Sequence, residues 1–446
     1  MYKSTLALAV AVGVLAQQAN AAGFVEDSKL SVSSRTMYFD NDNRDGSNDN
    51  RESGQGFKLD YLSGFTEGTV GFGVDLQALW GIHLDGGKGS RPNATNSFFP
   101  SDSDGSAVHD WARIGGNAKA RFSKTEAHFG SALAPNLPIL VSNDGRLLPQ
   151  TFEGGTIQSK EIDNLTLNAG QLTHAMGRAS SNRTGLSVSG ATQDSNKFQF
   201  AGGDWKVTKD LTLQYYYSNL EDFYKQHFLG LVHVYPIAED QSFKTDLRYF
   251  DSSSDGKNGQ TGYIFDNNKG FAKNKGEVDN KTWSAMFTYT LGGHAFLLGH
   301  QQIGDDGGFV WANQGGVTKD GTSNTSVEGN GGASFYLFTD SMINQFAKAG
   351  ENTTFGQYSY DFARLGVPGL KTSVSYLRGD DIKSAKNGSS YHEWERDARI
   401  DYVIQEGTLK GLGASLRHGV YRGGGSEASD DQDQTRLIFN YTYSFM

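Results

Sequence analysis

Three cations at alternate positions of one short stretch are the first candidates for chemistry in this chain. In WARIGGNAKARFS, from Trp111 to Ser123, Arg113, Lys119 and Arg121 share a parity with Asn117, whereas Ala112, Ile114, Ala118, Ala120 and Phe122 share the other. Period two is the signature of a half-buried strand. Arginine presents a planar fork of donors that grips a carboxylate bidentately, so a row of cations on one strand face is a candidate anion track.

The same parity test sets Arg35 against Ser34, Thr36 and Tyr38, and Lys244, Asp246 and Arg248 against Phe243, Thr245, Leu247 and Tyr249. It places Arg399 between Asp397 and Asp401, Arg417 opposite Leu416, and Arg436 opposite Leu437. Any one of these cations equally fits the polar lining of a wet lumen; the collective expectation is a basic ladder that focuses anions. Asp60, Asp75, Asp246 and Asp361 fall on the same inward parity, either to pair with the basic residues or to meet the ammonium group of a zwitterion.

Other chemistries find little support. Serines, aspartates and ten histidines are present, but no Gly-x-Ser-x-Gly elbow or HExxH motif frames them, so no catalytic residue is assigned and serine-type peptidase activity ranks last. Cysteine is absent, which removes disulfides, thiolate nucleophiles and Cys-based metal sites. The acidic stretches Asp305-Asp306 and Asp430-Asp431-Gln432-Asp433 suit calcium sites but more often are simply solvated loops, and neither a metal nor a cofactor is expected. A formal net charge of -10 argues against nucleic acid as a partner.

The elements that position the ladder must be long strands. In TVGFGVDLQALWGIHLD the even positions Val70, Phe72, Val74, Leu76, Ala78, Trp80, Ile82 and Leu84 are all apolar, and the odd ones are mostly small or polar. That is one strand of about fifteen residues, beyond the globular mode of about 5–6. Similar alternation recurs at Leu211–Tyr217, Trp283–Leu291 and Leu437–Phe445, with aromatics near strand ends as in the girdles of a membrane barrel. The apolar parity then faces lipid. Arg113, Lys119 and Arg121 must face the lumen, because each would cost about 2–4 kcal/mol near the bilayer midplane.

Connections alternate between short and long. Short ones are expected near Ser63–Gly68, Ser123–Lys124, Ser159–Asn164, Val207–Asp210, Ala238–Gln241, Leu291–His294, Leu365–Gly369 and Glu406–Lys410, with long polar ones between them. This asymmetry predicts an all-β fold: a transmembrane antiparallel β-barrel of about 18 strands with both termini in the periplasm. Residues 1–21, with Lys3, an apolar run from Leu6 to Leu15 and Ala19-Asn20-Ala21, read as a cleaved signal peptide, leaving 22–446 as the barrel.

One long connection is apolar. APNLPILVSNDGRLLPQTFEGG, Ala134–Gly155, holds Pro135, Pro138 and Pro149 and is unfit for a ladder. A barrel of this size encloses an aqueous channel, so the segment, bounded at about 131–155, is expected to fold inward and constrict it.

Four stretches, AGFVEDSKL, YLSGFTEGTVGFGVD, GRLLPQTFEGG and LGVPGL, resemble the OprD (Occ) family of substrate-specific outer-membrane porins. The resemblance spans the mature chain. It implies an 18-stranded outer-membrane channel, constricted by an inward loop and lined by a basic ladder, that passes small carboxylates such as amino acids, peptides or aromatic and cyclic acids. Arg113, Lys119, Arg121, Arg399, Arg417 and Arg436 become the candidates for that ladder, with Arg35, Lys244 and Arg248 added by parity. Arg146, Leu147, Leu148, Pro149 and Gln150 match the constriction loop. The expected partners are small carboxylate solutes and outer-membrane lipid, and the expected assembly is a monomer or weak homotrimer. A general diffusion or sugar porin is the alternative.

Overall fold

Period-two patterning across the chain resolves into ladders that close on themselves. The computed structural model describes residues 23–44, 46, 49–85, 98–100, 102, 106–312, 334–425 and 427–445, so the signal-peptide reading lies outside the described residues. These residues form eighteen wall strands: β1 Lys29–Asn43, β2 Asn50–Leu62, β3 Val70–Asp85, β4 Asp110–Phe122, β5 Thr125–Leu133, β6 Thr151–Ser159, β7 Leu165–Met176, β8 Phe198–Lys206 and β9 Leu211–Leu220 make one half. The other half is β10 Tyr224–Ala238, β11 Gln241–Ser254, β12 Asp279–Leu291, β13 His294–Ile303, β14 Asn352–Asp361, β15 Leu370–Lys383, β16 Ser390–Val403, β17 Gly413–Gly423 and β18 Gln432–Ser444.

Each strand pairs antiparallel with the next, and β1 pairs with β18 from Ser31↔Ser444 to Asn43↔Gln432. The protein is thus a closed 18-strand antiparallel barrel. Closure satisfies the backbone groups that an open sheet edge would leave bare in lipid. All eight expected short connections are present, and exposed aromatics such as Phe122, Trp205, Tyr235, Tyr402 and Tyr443 lie close to them. On β3 the outward parity exposes Val70, Phe72, Trp80 and Leu84, while Gly71, Gly73, Asp75 and Gly81 are buried inside.

The lumen is not uniformly polar. Phe198, Phe200, Tyr216, Phe228 and Phe250 point inward, where they pack against loop residues including Ile139, Leu186, Val188, Phe265 and Phe309. On this side the lumen wall is apolar rather than basic, because several loops fold inside and bury against it. The connection at 177–197, not foreseen from sequence, is one of them.

Two details of the proline-rich segment also differ. The loop proper is 134–150, since residues 131–133 and 151–155 belong to β5 and β6. Gly154 and Gly155 are ladder residues, and a register shift between Glu153 and Gly154, with Gly154 at φ 148, accommodates them as a bulge. Within the loop, Asn136–Leu137 and Leu140–Val141 form a minimal hairpin.

Candidate permeation site

The loop 134–150 folds into the barrel because the wall supplies a pit for its apolar residues. Leu147 and Leu148 are buried against Met37, Phe39, Leu79, Phe98, Phe99 and Trp111. Glycines on β2 make the room: a Cβ on Gly54 would lie 2.9 Å from Leu147, and one on Gly56 would lie 3.1 Å from it. Gln150 is buried and holds the loop's shape, its Oε1 accepting from Asn143 N at 3.2 Å while its backbone N donates to Asn143 O at 2.8 Å. Two predicted ladder residues are struts for this loop. Arg35 donates from Nη1 to the Arg146 carbonyl at 2.6 Å and to Asp144 Oδ1 at 2.8 Å. The guanidinium of Arg113 donates to the carbonyls of Gly177, Ser180 and Pro149.

Most of the remaining ladder cations face inward but are neutralised locally. Lys119 is buried on Asp75 at 2.6 Å, and Lys244 and Arg248 share Asp246 at 3.2 and 2.8 Å. Arg248 also lies over the Tyr336 ring, and Arg121 lies over Phe65 at 4.2 Å near the short-turn end. Asp60 pairs with Lys58 and Asp361 with Lys371. For these acids, pairing within the wall is the role the geometry displays.

Strand register brings three arginines into one row. Arg399 is directly opposite Arg417, and Arg417 is directly opposite Arg436. Like charges directly opposite on neighbouring strands destabilise a sheet, so the row needs counter-charge or a reason to persist. Arg399 has Asp401, and Arg436 donates to Gln434 Oε1 at 2.7 Å and to the Met342 carbonyl. Among the described residues Arg417 has no ion pair, only a 3.1 Å hydrogen bond from Nε to Ser415 Oγ.

These side chains line a cavity of about 730 Å³ between the constriction loop and the wall formed by β14–β18, together with Arg146, Arg178 and Asp340. Arg146 is partly exposed, over the Phe39 ring at 5.0 Å. Arg178 donates to Asn143 Oδ1 at 3.2 Å. Asp340, in the inward connection between β13 and β14, accepts from Phe335 N at 3.3 Å. Burial pushes its carboxyl up to about 7 even though Arg178, Arg436 and Arg146 pull it down. The cavity is therefore a net-cationic chamber that also holds Asp340, Asp397 and Asp401, of which Asp340 changes charge near neutrality.

The profile of the outer membrane porins of the OprD family matches residues 22–445. The chain belongs to the OprD family. Porin D of Pseudomonas aeruginosa is 33% identical over 98% of this chain and 96% of its own, and Porin-like protein GalP of Pseudomonas putida is 31% identical over 99% and 97%. Among solved structures, P. aeruginosa OccK8 (OprE) is 47% identical with a TM-score of 0.84, and P. aeruginosa OpdK, solved with vanillate, is 33% identical with a TM-score of 0.79; each aligns over 95% of this chain and 100% of its own. Its relatives are porins, so this OprD-family protein is a channel and not an enzyme, and family and fold together point to the Gram-negative outer membrane.

Arg178 and Asp340 escaped the sequence reading of this OprD-family chain, because both sit in loops where strand parity gives no direction. The only signal for Arg178 was its place directly after a strand end, in Met176-Gly177-Arg178. Among the described residues no group of three or more His, Cys, Asp or Glu could hold a metal ion.

Proposed function

We propose that this OprD-family channel takes up small carboxylate-bearing solutes, whether amino acids, peptides or aromatic and cyclic acids, by selective passive diffusion. The observation that carries this reading is the Arg399–Arg417–Arg436 row, whose central guanidinium has no ion pair among the described residues and faces the chamber beside the constriction. A carboxylate that reaches Arg417 finds a bidentate donor and two flanking cations, which offset part of the hydration it sheds. Asp340 in the same lining limits the depth of that well, so a solute leaves as well as enters. The solved structure of OpdK with vanillate, a carboxylate, supports the same class.

A general diffusion or sugar porin is the second reading. The pairing of Lys119, Lys244, Arg248 and Arg399 with wall acids favours it, since paired charges project little field. Uptake into proteoliposomes of a monocarboxylate, a zwitterionic amino acid and a neutral sugar of similar size separates the two. Faster uptake of the carboxylate-bearing solutes supports the proposal, and equal uptake of all three refutes it.

A further inference from the structure

The outward parity of β16 reads Trp394, Arg396, Ala398, Ile400 and Tyr402, whereas Glu393 and Glu395 of the other parity are buried inside the barrel. Arg396 therefore stands on the lipid-facing wall. From Tyr402 near the short-turn end to Trp394, a strand tilted about 40° climbs about 20 Å, close to the height of the apolar band, about 25 Å. Trp394 thus marks the interface on the long-loop side, and Arg396 lies about 5 Å further into the bilayer. Among the described residues Arg396 makes no ion pair or hydrogen bond, and its guanidinium is 6.0 Å from the Trp394 ring.

A cation at that depth is tolerated when an anion from the lipid meets it. The neighbourhood is built to seat one. On β15, Tyr376 is directly opposite Arg396 and Arg378 is directly opposite Trp394, so the second guanidinium flanks the first. Arg378 is half satisfied by Asp380 at 2.9 Å. Beside both arginines the wall is indented where the row Leu298, Gly356, Tyr376, Arg396 places glycine between larger residues. The resulting open depression of about 820 Å³ is floored by Leu298, Gly356, Val374 and Ala398 and has Arg378 and Arg396 in its lining.

We propose that this depression holds one molecule of the phosphorylated, acylated glycolipid of the outer leaflet, with an acyl chain along the apolar floor and a phosphate on Arg396 and Arg378. Charge complementarity selects this occupant. A second copy of the barrel would bring another apolar wall, which leaves Arg396 unmet.

Native mass spectrometry of the purified barrel with added bis-phosphorylated lipid A tests it, using the same lipid stripped of phosphate as the second probe. We expect one lipid A retained per barrel, and retention about tenfold weaker in Arg396→Gln, as for loss of a charge-assisted hydrogen bond. Dephosphorylation should weaken binding to the unaltered protein by at least that factor and weaken Arg396→Gln less, by what Arg378 alone still holds. Ala398→Phe, which fills the floor, should weaken both lipids alike. Heat-modifiable gel mobility confirms that each variant is folded. Equal retention by the unaltered protein and Arg396→Gln overturns the proposal, as does undiminished binding of the dephosphorylated lipid. Barrel dimers that vanish in Arg396→Gln would also overturn it, by making the depression a protein interface.

Discussion

Replacing Arg417 by glutamine removes the central arginine of the row, which among the described residues has no ion pair, while keeping a polar side chain in the lumen. A monoanion passing about 5 Å from that guanidinium gains about 0.8 kcal/mol if the lumen behaves as bulk water, and about 3 kcal/mol at an effective dielectric near 20. The lower figure suits a wet chamber and corresponds to about a fourfold loss of anion occupancy at low salt. Screening reduces it to about twofold at 0.15 M ionic strength and to nearly nothing at 1 M. Arg417→Gln should therefore slow carboxylate uptake into proteoliposomes about fourfold in dilute buffer, leave a neutral sugar unchanged, and converge with the unaltered channel as salt rises. The same substitution relieves two cross-strand like-charge contacts, so the barrel should resist denaturant better by about 0.2–1 kcal/mol per contact. If the ratio of carboxylate to sugar uptake stays the same at low salt, Arg417 does not set selectivity and the row is only wall.

Asp340 sets a pH dependence. Its carboxyl is neutral below about 7 and charged above, so anion preference in reversal-potential measurements should rise as pH falls from 8 to 6, and Asp340→Asn should hold the high preference throughout. Because the folded-state pKa lies above the unfolded value, ionised Asp340 opposes folding increasingly as pH rises from about 4 towards 7, and Asp340→Asn should stabilise the barrel most at pH 8. Gly56→Leu puts a side chain where Leu147 and Leu148 pack, so single-channel conductance should increase and solute discrimination fall, with the barrel still folded. Lys119→Met leaves buried Asp75 with only His128, at 3.5 Å, and should destabilise by about 1–3 kcal/mol in urea titrations, more than Lys244→Met, because Asp246 retains the closer guanidinium of Arg248.

The wall was legible because lipid on one side and water on the other force a strict period of two. Val70–Leu84 and Trp111–Phe122 show it, and on the second of these Arg113, Lys119 and Arg121 share the parity of the buried Asn117. Register was not legible: nothing in the spacing of Arg399, Arg417 and Arg436 says that they stand level, since that depends on the shear of the closed barrel. Nor does parity reveal whose donors are already taken. Arg113 and Arg35 hold loop carbonyls, and those loops lie far away in sequence. The pit under Leu147 is made by what Gly54 and Gly56 lack, and glycines are too common among these strands to single out two. Arg396 and Arg378 are counterexamples to the rule that cations avoid the lipid face, Arg396 sharing the outward parity of Trp394 and Ile400.

Closure of β1 on β18 has a kinetic meaning. Arg35 Nε donates to Asn440 Oδ1 at 2.8 Å across 405 positions of chain, and Arg436 is directly opposite Phe39 in the same seam. Joining ends so far apart in a flexible chain would cost about 5 kcal/mol of chain entropy; if strands add in order of synthesis that cost is met hairpin by hairpin, and this pairing comes last. Arg436 supplies one end of the arginine row and Arg35 grips the constriction loop, so both depend on that final seam. A barrel arrested one strand short would therefore lack Arg436 from the row and the Asn440 partner that orients Arg35.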